Sequence, residues 1–394
     1  MNKHCLNYIL SVIFFVFCES AASLVKSNTK TLWSLNDVTY ILPLPETLQQ
    51  NYLRSVKNHI SEAILNDLPK LSVQYDREAL YKMIFALVIR IEPASKQIRV
   101  VWQPVTLGPQ NKVTTLDMAL HSFYQLSEVE FHQLLSEIIL WKEKYKIQSN
   151  FLEPLNIHPV FKNQTSDIKK IVLQDLNDLF FKYCHDNNTV KVTAMVLRGG
   201  NDMWAFMGFN IDLLSQQRMP IEIPRTASST AQRFVNQAVP AEFFENALIS
   251  PLAFNIENDS LENLVMKATF NSQLTEDEIL KALHISHRFE NPRIHNTESL
   301  DCVSCHIAHP AREWISRHLK AQPKNNHLNS VYQNQNYNLT NLSTEVFNTV
   351  QIRGLGYFGR NLTISQRVIH ESAEVADYLN FQNNIIFKKK TKNK

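Results

Sequence analysis

The chain has 394 residues, of which 44% are hydrophobic, and a formal net charge of +3. Its 22 phenylalanines and 12 tyrosines add to a composition that can bury a sizeable core, which excludes an intrinsically disordered chain. Lysine and arginine are scattered, apart from a terminal run at 388–394, and they form no basic pattern interleaved with aromatic residues. We therefore expect no nucleic-acid partner.

The N-terminus has the three parts of a secretory signal, namely a basic start, an apolar centre and a small-residue exit. The apolar centre covers 5–17, and Ser20 and Ala22 occupy the two small positions before a cut at Ser23. This stretch is shorter than the about 20 residues that a spanning helix needs. Residues 1–22 are therefore predicted to be a signal peptide, with a buried N-terminal helix as the alternative. The mature protein is expected in the periplasm, on the cell surface or secreted, without a transmembrane span.

Cys18 raises the question of a lipid anchor, because bacterial lipoproteins are cut just before a cysteine that becomes acylated. A small residue normally precedes that cysteine, whereas Phe17 does so here. Ordinary cleavage is therefore favoured, and a lipid anchor at Cys18 is the alternative.

Residues 23–218 have the patterns of an α+β domain with helices and two antiparallel hairpins. Four-residue apolar spacing predicts helices, and β-branched runs around short turns predict hairpins. Ser127 and Glu130 form a capping-box pattern at the start of one helix. The predicted elements are a strand at 38–44, helices at 46–68, 127–145 and 166–183, and hairpins at 83–91 with 97–105 and 190–197 with 203–211.

The composition and periodicity of the sequence change after the second hairpin. Residues 219–274 contain four prolines and little periodicity, which predicts a connecting region. Residues 275–394 are predicted to be mostly helical. The expected elements are a capped helix at 275–285, irregular chain at 286–306, a helix that starts at Pro310, a tight glycine turn at 354–359 and a helix at 364–380.

The strongest chemical signal is Cys302-Val-Ser-Cys305-His306, a Cys-x-x-Cys-His motif. Two thiols one helical turn apart can each bond a haem vinyl carbon, and the adjacent imidazole then lies beneath the iron. Removal of residues 1–22 leaves three cysteines, an odd number that excludes a disulfide scaffold. Two alternatives stay open: a disulfide between Cys302 and Cys305, and a zinc site completed by a nearby histidine such as His287, His295 or His309.

This motif resembles the haem-attachment motif of c-type cytochromes, and the wider strings at 301–308 and 364–373 resemble those of uncharacterised exported bacterial proteins. The resemblance implies one covalent haem c on Cys302 and Cys305, with His306 as the proximal iron ligand. The motif lies late in the chain and no methionine follows Met266, so a standard cytochrome c fold is not expected after Cys302.

The second axial ligand is predicted to be His295, which lies in irregular chain eleven residues before His306. The favoured function is single-haem electron transfer with an unknown redox partner. One alternative is a haem enzyme or sensor with an open distal site for peroxide or another small ligand. The other is an envelope binding protein in which Cys302 and Cys305 form a disulfide.

Overall fold

The computed structural model describes residues 32–48, 52–68, 76–162, 164–198, 203–226, 228–235, 275–318, 330–343, 352 and 354–392. The predicted signal peptide at 1–22 and the candidate lipid anchor at Cys18 lie outside the described residues. Most of the predicted connecting region at 219–274 does so too. Among the described residues, no helix is both long and apolar enough to cross a membrane.

The described chain is a mixed α+β structure built on a nine-stranded antiparallel sheet, in the order β1-β2-β3-β5-β6-β7-β8, with β4 paired to β3 and β9 paired to β7. A separate two-stranded ribbon, β10–β11, follows near the end of the chain. The strands are β1 (Thr39–Ile41), β2 (Ile84–Glu92), β3 (Gln97–Leu107), β4 (Val113–Thr115), β5 (Met118–Gln125), β6 (Thr189–Arg198), β7 (Met203–Ile211), β8 (Arg218–Pro220), β9 (Ala231–Val235), β10 (Leu355–Phe358) and β11 (Asn361–Ile364).

Both predicted hairpins are present, as β2–β3 and β6–β7. The sequence patterns did not indicate β5, which lies between them and pairs with β3 on one side and β6 on the other. Because β5 joins the two hairpins, they form one continuous sheet.

Helices come before, between and after the strands along the chain. The helices are α1 (Leu35–Val38), α2 (Glu62–Asp67), α3 (Arg77–Met83), α4 (Glu128–Lys144), α5 (Ser166–Phe181), α6 (Glu276–Glu290), α7 (Cys302–His318) and α8 (Gln366–Lys392), with short 3₁₀ turns at Val56–Asn58, Pro109–Asn111, Pro159–Phe161 and Asp186–Asn188. The predicted capping box of α4 is confirmed: Ser127 accepts a hydrogen bond from the Glu130 amide at 3.3 Å, and the Glu130 carboxylate accepts one from the Ser127 amide at 2.8 Å.

The predicted continuous helix at 46–68 is wrong. The described part holds only a 3₁₀ turn and the six-residue α2. Ser55 and Ser61 have extended backbones, with ψ of 147° at both, and each precedes a new short helical segment. Serine favours such positions because its side chain competes for nearby backbone groups, so it interrupts the apolar periodicity.

Alternate residues of the central strands point to opposite faces of the sheet. The face toward α4 and α5 is sealed by aromatic rings and is called here the aromatic face. Trp102 lies against Phe181 with ring centroids 5.6 Å apart, and Tyr40 lies against Phe180 at 5.0 Å. The opposite face is called the cleft face, and the chain after residue 275 packs on it. One contact on this side is the hydrogen bond between Thr39 on β1 and Ser372 on α8, at 2.8 Å.

The cysteine pair lies at the start of a helix, so the prediction of irregular chain up to 306 is wrong. Helix α7 begins at Cys302, and Pro310 lies inside it instead of starting a helix. The physical reason is the buried Asp301, whose carboxylate accepts a hydrogen bond from the Ser304 amide at 2.9 Å. Such an acidic cap satisfies amide groups of the first turn and begins the helix earlier.

The glycine-rich segment at 354–359 forms strand β10 and the start of the turn into β11, and this ribbon docks on β3. The buried Gln103 accepts a hydrogen bond from the Tyr357 amide at 2.7 Å and donates one to the Tyr357 carbonyl at 2.9 Å. Gly356 has a φ of 123°, and a Cβ there would lie 2.3 Å from the Gln103 side-chain oxygen. Glycine is therefore required at 356 for the ribbon to approach the sheet.

Candidate functional site

A cleft of about 180 Å³ lies between the cleft face of the sheet and the first turns of α7. The side chains of Cys302, Cys305 and His306 all line it. The sheet lines the opposite wall through residues of β3, β5, β6 and β7, namely Arg99, Ala119, His121, Phe123, Lys191, Thr193, Ala194, Met195, Phe206 and Met207.

The first turn of α7 is held by a buried side-chain network from the sheet. Gln232 on β9 donates a hydrogen bond to the Asp301 carboxylate at 2.8 Å and accepts one from the Val303 amide at 2.9 Å. Gln232 and Asp301 are both fully buried. Strand β9 therefore sets where the helix begins and where the cysteine and histidine side chains point.

Both thiols are free and partly accessible from the cleft. Burial, with the nearby Asp301 carboxylate, raises the pKa of Cys302 to about 12. Burial also raises the pKa of the Cys305 thiol. A thiol–disulfide oxidoreductase needs a cysteine whose pKa is lowered. The surroundings of this pair therefore disfavour a redox-active disulfide of that kind.

His306 is oriented by a backbone carbonyl. Its Nδ1 donates a hydrogen bond to the Ile352 carbonyl at 2.8 Å, so the neutral ring carries its lone pair on Nε2. The His306 ring packs against Phe206 with centroids 5.0 Å apart, and a Cβ on Gly354 would lie 3.6 Å from it. A metal-ligating histidine usually donates its other ring N–H to a backbone carbonyl or carboxylate in this way.

The sheet wall of the cleft carries cationic and polar side chains. Arg99 on β3 donates a hydrogen bond to Nδ1 of His121 on β5 at 2.7 Å. Because arginine only donates, a neutral His121 carries its proton on Nε2. The guanidinium of Arg99 lies 5.3 Å from the Phe123 ring centroid, and Lys191 on β6 lies 5.5 Å from the same centroid. This wall combines an aromatic surface with hydrogen-bond donors and positive charge.

A buried ion network borders the cleft beside Cys305. Glu371 on α8 accepts a hydrogen bond from Arg90 at 2.8 Å and lies 2.8 Å from Arg367. Burial alone would raise the pKa of Glu371, but Arg367, Arg90 and Arg99 lower it to about 2. Arg367 also lines the cleft and donates to the His295 carbonyl at 2.9 Å.

Of the predicted site residues, the structure brings Cys302, Cys305 and His306 together. His295 is not among the residues that line the cleft. Its ring packs edge-on against Phe289, with centroids 5.4 Å apart. The predicted second axial ligand therefore lies beside the cleft wall in this arrangement.

The histidines considered for a zinc site have other surroundings. Buried His309 hydrogen bonds through Nδ1 to the buried Glu290 carboxylate at 3.2 Å. Burial, the largest influence, lowers the pKa of His287 to about 4, and Glu290 and Arg312 lie among its neighbouring charges. Within the described part of the chain, no three histidine, cysteine or acidic side chains are grouped to hold a metal ion.

Spacing along the sequence did not indicate the residues that form the sheet wall of the cleft. Arg99, His121 and Lys191 belong to three strands separated by long stretches of chain, and local spacing does not connect them. The available signal was the presence of charged or polar residues within otherwise apolar strands. Such residues mark a face that is covered by something other than a hydrophobic core.

Comparison with protein-family models, with curated proteins and with solved structures finds no match for this chain. The cleft and the motif that lines it are therefore the basis for inferring a function.

Proposed function

We propose that this chain is an exported single-haem protein that carries haem c covalently on Cys302 and Cys305, with His306 as an axial iron ligand. One observation carries the proposal: the three motif side chains line one cleft, and His306 has its Nδ1 fixed by the Ile352 carbonyl. This tautomer leaves Nε2 as the ligating atom.

The side chains that line the cleft suit a haem chemically. Apolar side chains such as Phe206 and Met195 offer surface to a flat macrocycle, while Arg99 and Lys191 offer positive charge to its carboxylates. Each thiol would add across a vinyl double bond, with sulfur bonding one carbon and the thiol proton going to the other. When bound, the haem would supply one-electron chemistry, and the surrounding protein would set its potential.

Electron transfer with an as yet unidentified redox partner is the function that we favour. A second candidate, small-ligand chemistry at an open iron position, is favoured by the Arg99–His121 hydrogen bond. With its Nδ1 accepting from Arg99, His121 presents an Nε2 proton and is arranged as a donor to a distal ligand. The predicted ligand His295 would have to leave its contact with Phe289 to reach the cleft.

Export is part of the proposal because covalent haem attachment takes place outside the cytoplasm. The predicted signal peptide at 1–22 supports a periplasmic, cell-surface or secreted location, and acylation at Cys18 would tether the protein to a membrane surface. Intact mass distinguishes a mature start at Ser23 from an acylated start at Cys18.

The haem assignment is tested by expressing the full chain with the c-type maturation system and recording a pyridine haemochrome spectrum. We expect one haem per chain, retained after acid–acetone extraction because thioether bonds do not release it. The double variant Cys302→Ser/Cys305→Ser should lose the haem, whereas Cys184→Ala, which changes a buried thiol on α5's C-terminal side, should keep it. A colourless wild type from a strain that matures other c-type cytochromes would reject the proposal.

The ligation state separates the two candidate functions. A six-coordinate, low-spin iron that becomes high-spin in His295→Ala would support electron transfer with His295 as the second ligand. A high-spin resting iron that binds cyanide or carbon monoxide quickly, and binds them more weakly in His121→Ala, would support small-ligand chemistry instead.

A further inference from the structure

The cleft face carries a row of cationic side chains across four neighbouring strands. Arg90 on β2 is paired in register with Arg99 on β3, Arg99 with Phe123 on β5, and Phe123 with Lys191 on β6. Residues paired in register point to the same face of a sheet. The row therefore places Arg99 and Lys191 on either side of Phe123 and Arg90 directly beside Arg99, and like charges placed directly opposite each other destabilise a sheet.

Nearby carboxylates compensate only part of this charge. Arg90 lies 3.1 Å from Glu92 and 2.8 Å from Glu371, and Arg367 lies 2.8 Å from Glu371. Arg99 forms no ion pair with any described carboxylate, and its buried Nε has no hydrogen-bond partner among the described residues. Two carboxylates thus serve three guanidinium groups, and Arg99 interacts with Glu92 and Glu371 only at longer range, without an ion pair.

Arg99 is held in place despite this imbalance. Burial and the neighbouring Arg90 lower its pKa. Its one described hydrogen bond goes to His121, a neutral acceptor in that arrangement, and its guanidinium lies over the Phe123 ring. Lys191 lies near the same ring and forms no ion pair with a described carboxylate. Both side chains are half-buried, and taking a charge partly out of water without a close counter-charge is unfavourable, so an anion from outside the sheet is the natural partner of this pair.

We propose that Arg99 and Lys191 form a carboxylate-binding site on the sheet wall of the cleft. Guanidinium groups bind carboxylates through a planar fork of N–H donors, and the partly buried position strengthens that pairing. The carboxylate comes either from a haem propionate or from a small organic acid. The site follows from the charges of the sheet, so it does not rest on covalent haem attachment.

The first experiment uses the haem-free full-length chain, expressed without the maturation system, with succinate as the probe and uncharged succinamide as the control ligand. We expect succinate, and not succinamide, to raise the melting temperature of the wild type. Arg99→Gln should bind succinate at least about tenfold more weakly, because one partner of a buried charge pair is removed. Arg54→Gln removes the same charge from an exposed pair with Asp178 and should bind like the wild type.

The same variants distinguish a binding role from a structural one. Without succinate, Arg99→Gln should lower the melting temperature far less than Glu371→Gln does, because Arg99 forms no ion pair with a described carboxylate whereas Glu371 pairs with two buried arginines. A structural arginine would instead destabilise the protein on substitution whether or not succinate is present.

The second experiment uses the haem-loaded protein and identifies the source of the carboxylate. If haem propionates occupy the site, the loaded wild type should no longer respond to succinate, and Arg99→Gln should lower the haem midpoint potential relative to Arg54→Gln. If a free acid is the ligand, the loaded wild type should still bind succinate and Arg99→Gln should not.

Equal succinate binding by the wild type and Arg99→Gln, together with equal midpoint potentials of the two loaded arginine variants, would overturn the proposal. If haem attachment fails, the haem-free titration decides alone. If the haem-free chain does not fold, the two loaded measurements decide.

Discussion

The two faces of the central sheet solve the problem of burial differently. On the aromatic face, Trp102 is fully buried, packs on His59 and Phe181, and donates its indole proton to Ser122 at 2.7 Å. On the cleft face, Arg99, His121 and Lys191 border open space. One sheet thus has a fully packed core on one side and a cleft lined by polar and charged side chains on the other. We therefore place the proposed ligand site on the cleft face.

The largest expected effect is on the aromatic face. Trp102→Ala should lower the free energy of unfolding by about 3–5 kcal/mol, because it removes a large buried ring and leaves a cavity. Urea unfolding followed by circular dichroism measures this loss. The matched variant Phe123→Ala, which removes a half-buried ring on the cleft wall, should cost only about 1 kcal/mol, because it widens a space that already exists. Equal losses would contradict the distinction between the two faces.

The buried ion network tests how firmly the cleft face is tied to α8. Glu371→Gln should lower the free energy of unfolding by about 3–5 kcal/mol, because Arg90 and Arg367 lose their shared carboxylate while staying buried. Asp178→Asn breaks the exposed pair with Arg54 and should cost less than about 1 kcal/mol. A loss for Glu371→Gln as small as that for Asp178→Asn would show that the network contributes little.

Acid should lower the free energy of unfolding through protonation of Glu290, the last residue of α6. Burial opposes ionisation, but Arg312 and His309 lower the pKa of Glu290 from 4.5 to about 2. A lowered pKa in the folded state favours folding above about pH 4.5, and this contribution is lost as the pH falls towards 2. It amounts to on the order of 3 kcal/mol.

The measurement for Glu290 is the free energy of unfolding as a function of pH for the wild type and for Glu290→Gln. The variant should have a flatter profile between pH 4.5 and 2. Parallel profiles would mean that other carboxylates carry the acid sensitivity.

The smallest effects concern the two helix caps. Ser127→Ala removes the exposed capping box of α4 and should cost about 1 kcal/mol. Gln232→Leu removes the buried bridge between Asp301 and the Val303 amide, and it should cost about 2 kcal/mol because buried polar groups lose their partners. If Ser127→Ala were the more damaging change in thermal unfolding, burial would not be what strengthens the α7 cap.

Local patterns predicted the elements that depend on neighbouring residues. The predicted hairpins β2–β3 and β6–β7 are present in the structure. Their β-branched runs around short turns favour pairing within one segment, so the local sequence was enough to predict them. Helix α4 is confirmed because Ser127 and Glu130 satisfy its first amides locally. The apolar spacing at 46–68 wrongly predicted one continuous helix, since Ser55 and Ser61 divide that stretch into short helical segments.

The start of α7 was missed because its cap is completed from far away in the chain. Asp301 alone is a weak signal, and the buried Gln232 that holds it comes from strand β9. The same reason explains β5, whose partners on both sides are supplied by separate hairpins. Such elements depend on long-range pairing and have little local signature.

The sequence by itself determined which reactive groups are present: two thiols and an imidazole at the spacing of a haem-attachment motif. It also has an N-terminus typical of export. Only the tertiary structure decided what faces them. It brings Arg99, His121 and Lys191 opposite Cys302, Cys305 and His306, and it turns His295 against Phe289 instead. The physical reason is that spacing along a helix is a local property, whereas the two walls of a cleft come from strands and helices distant in the chain and meet only when the sheet is assembled.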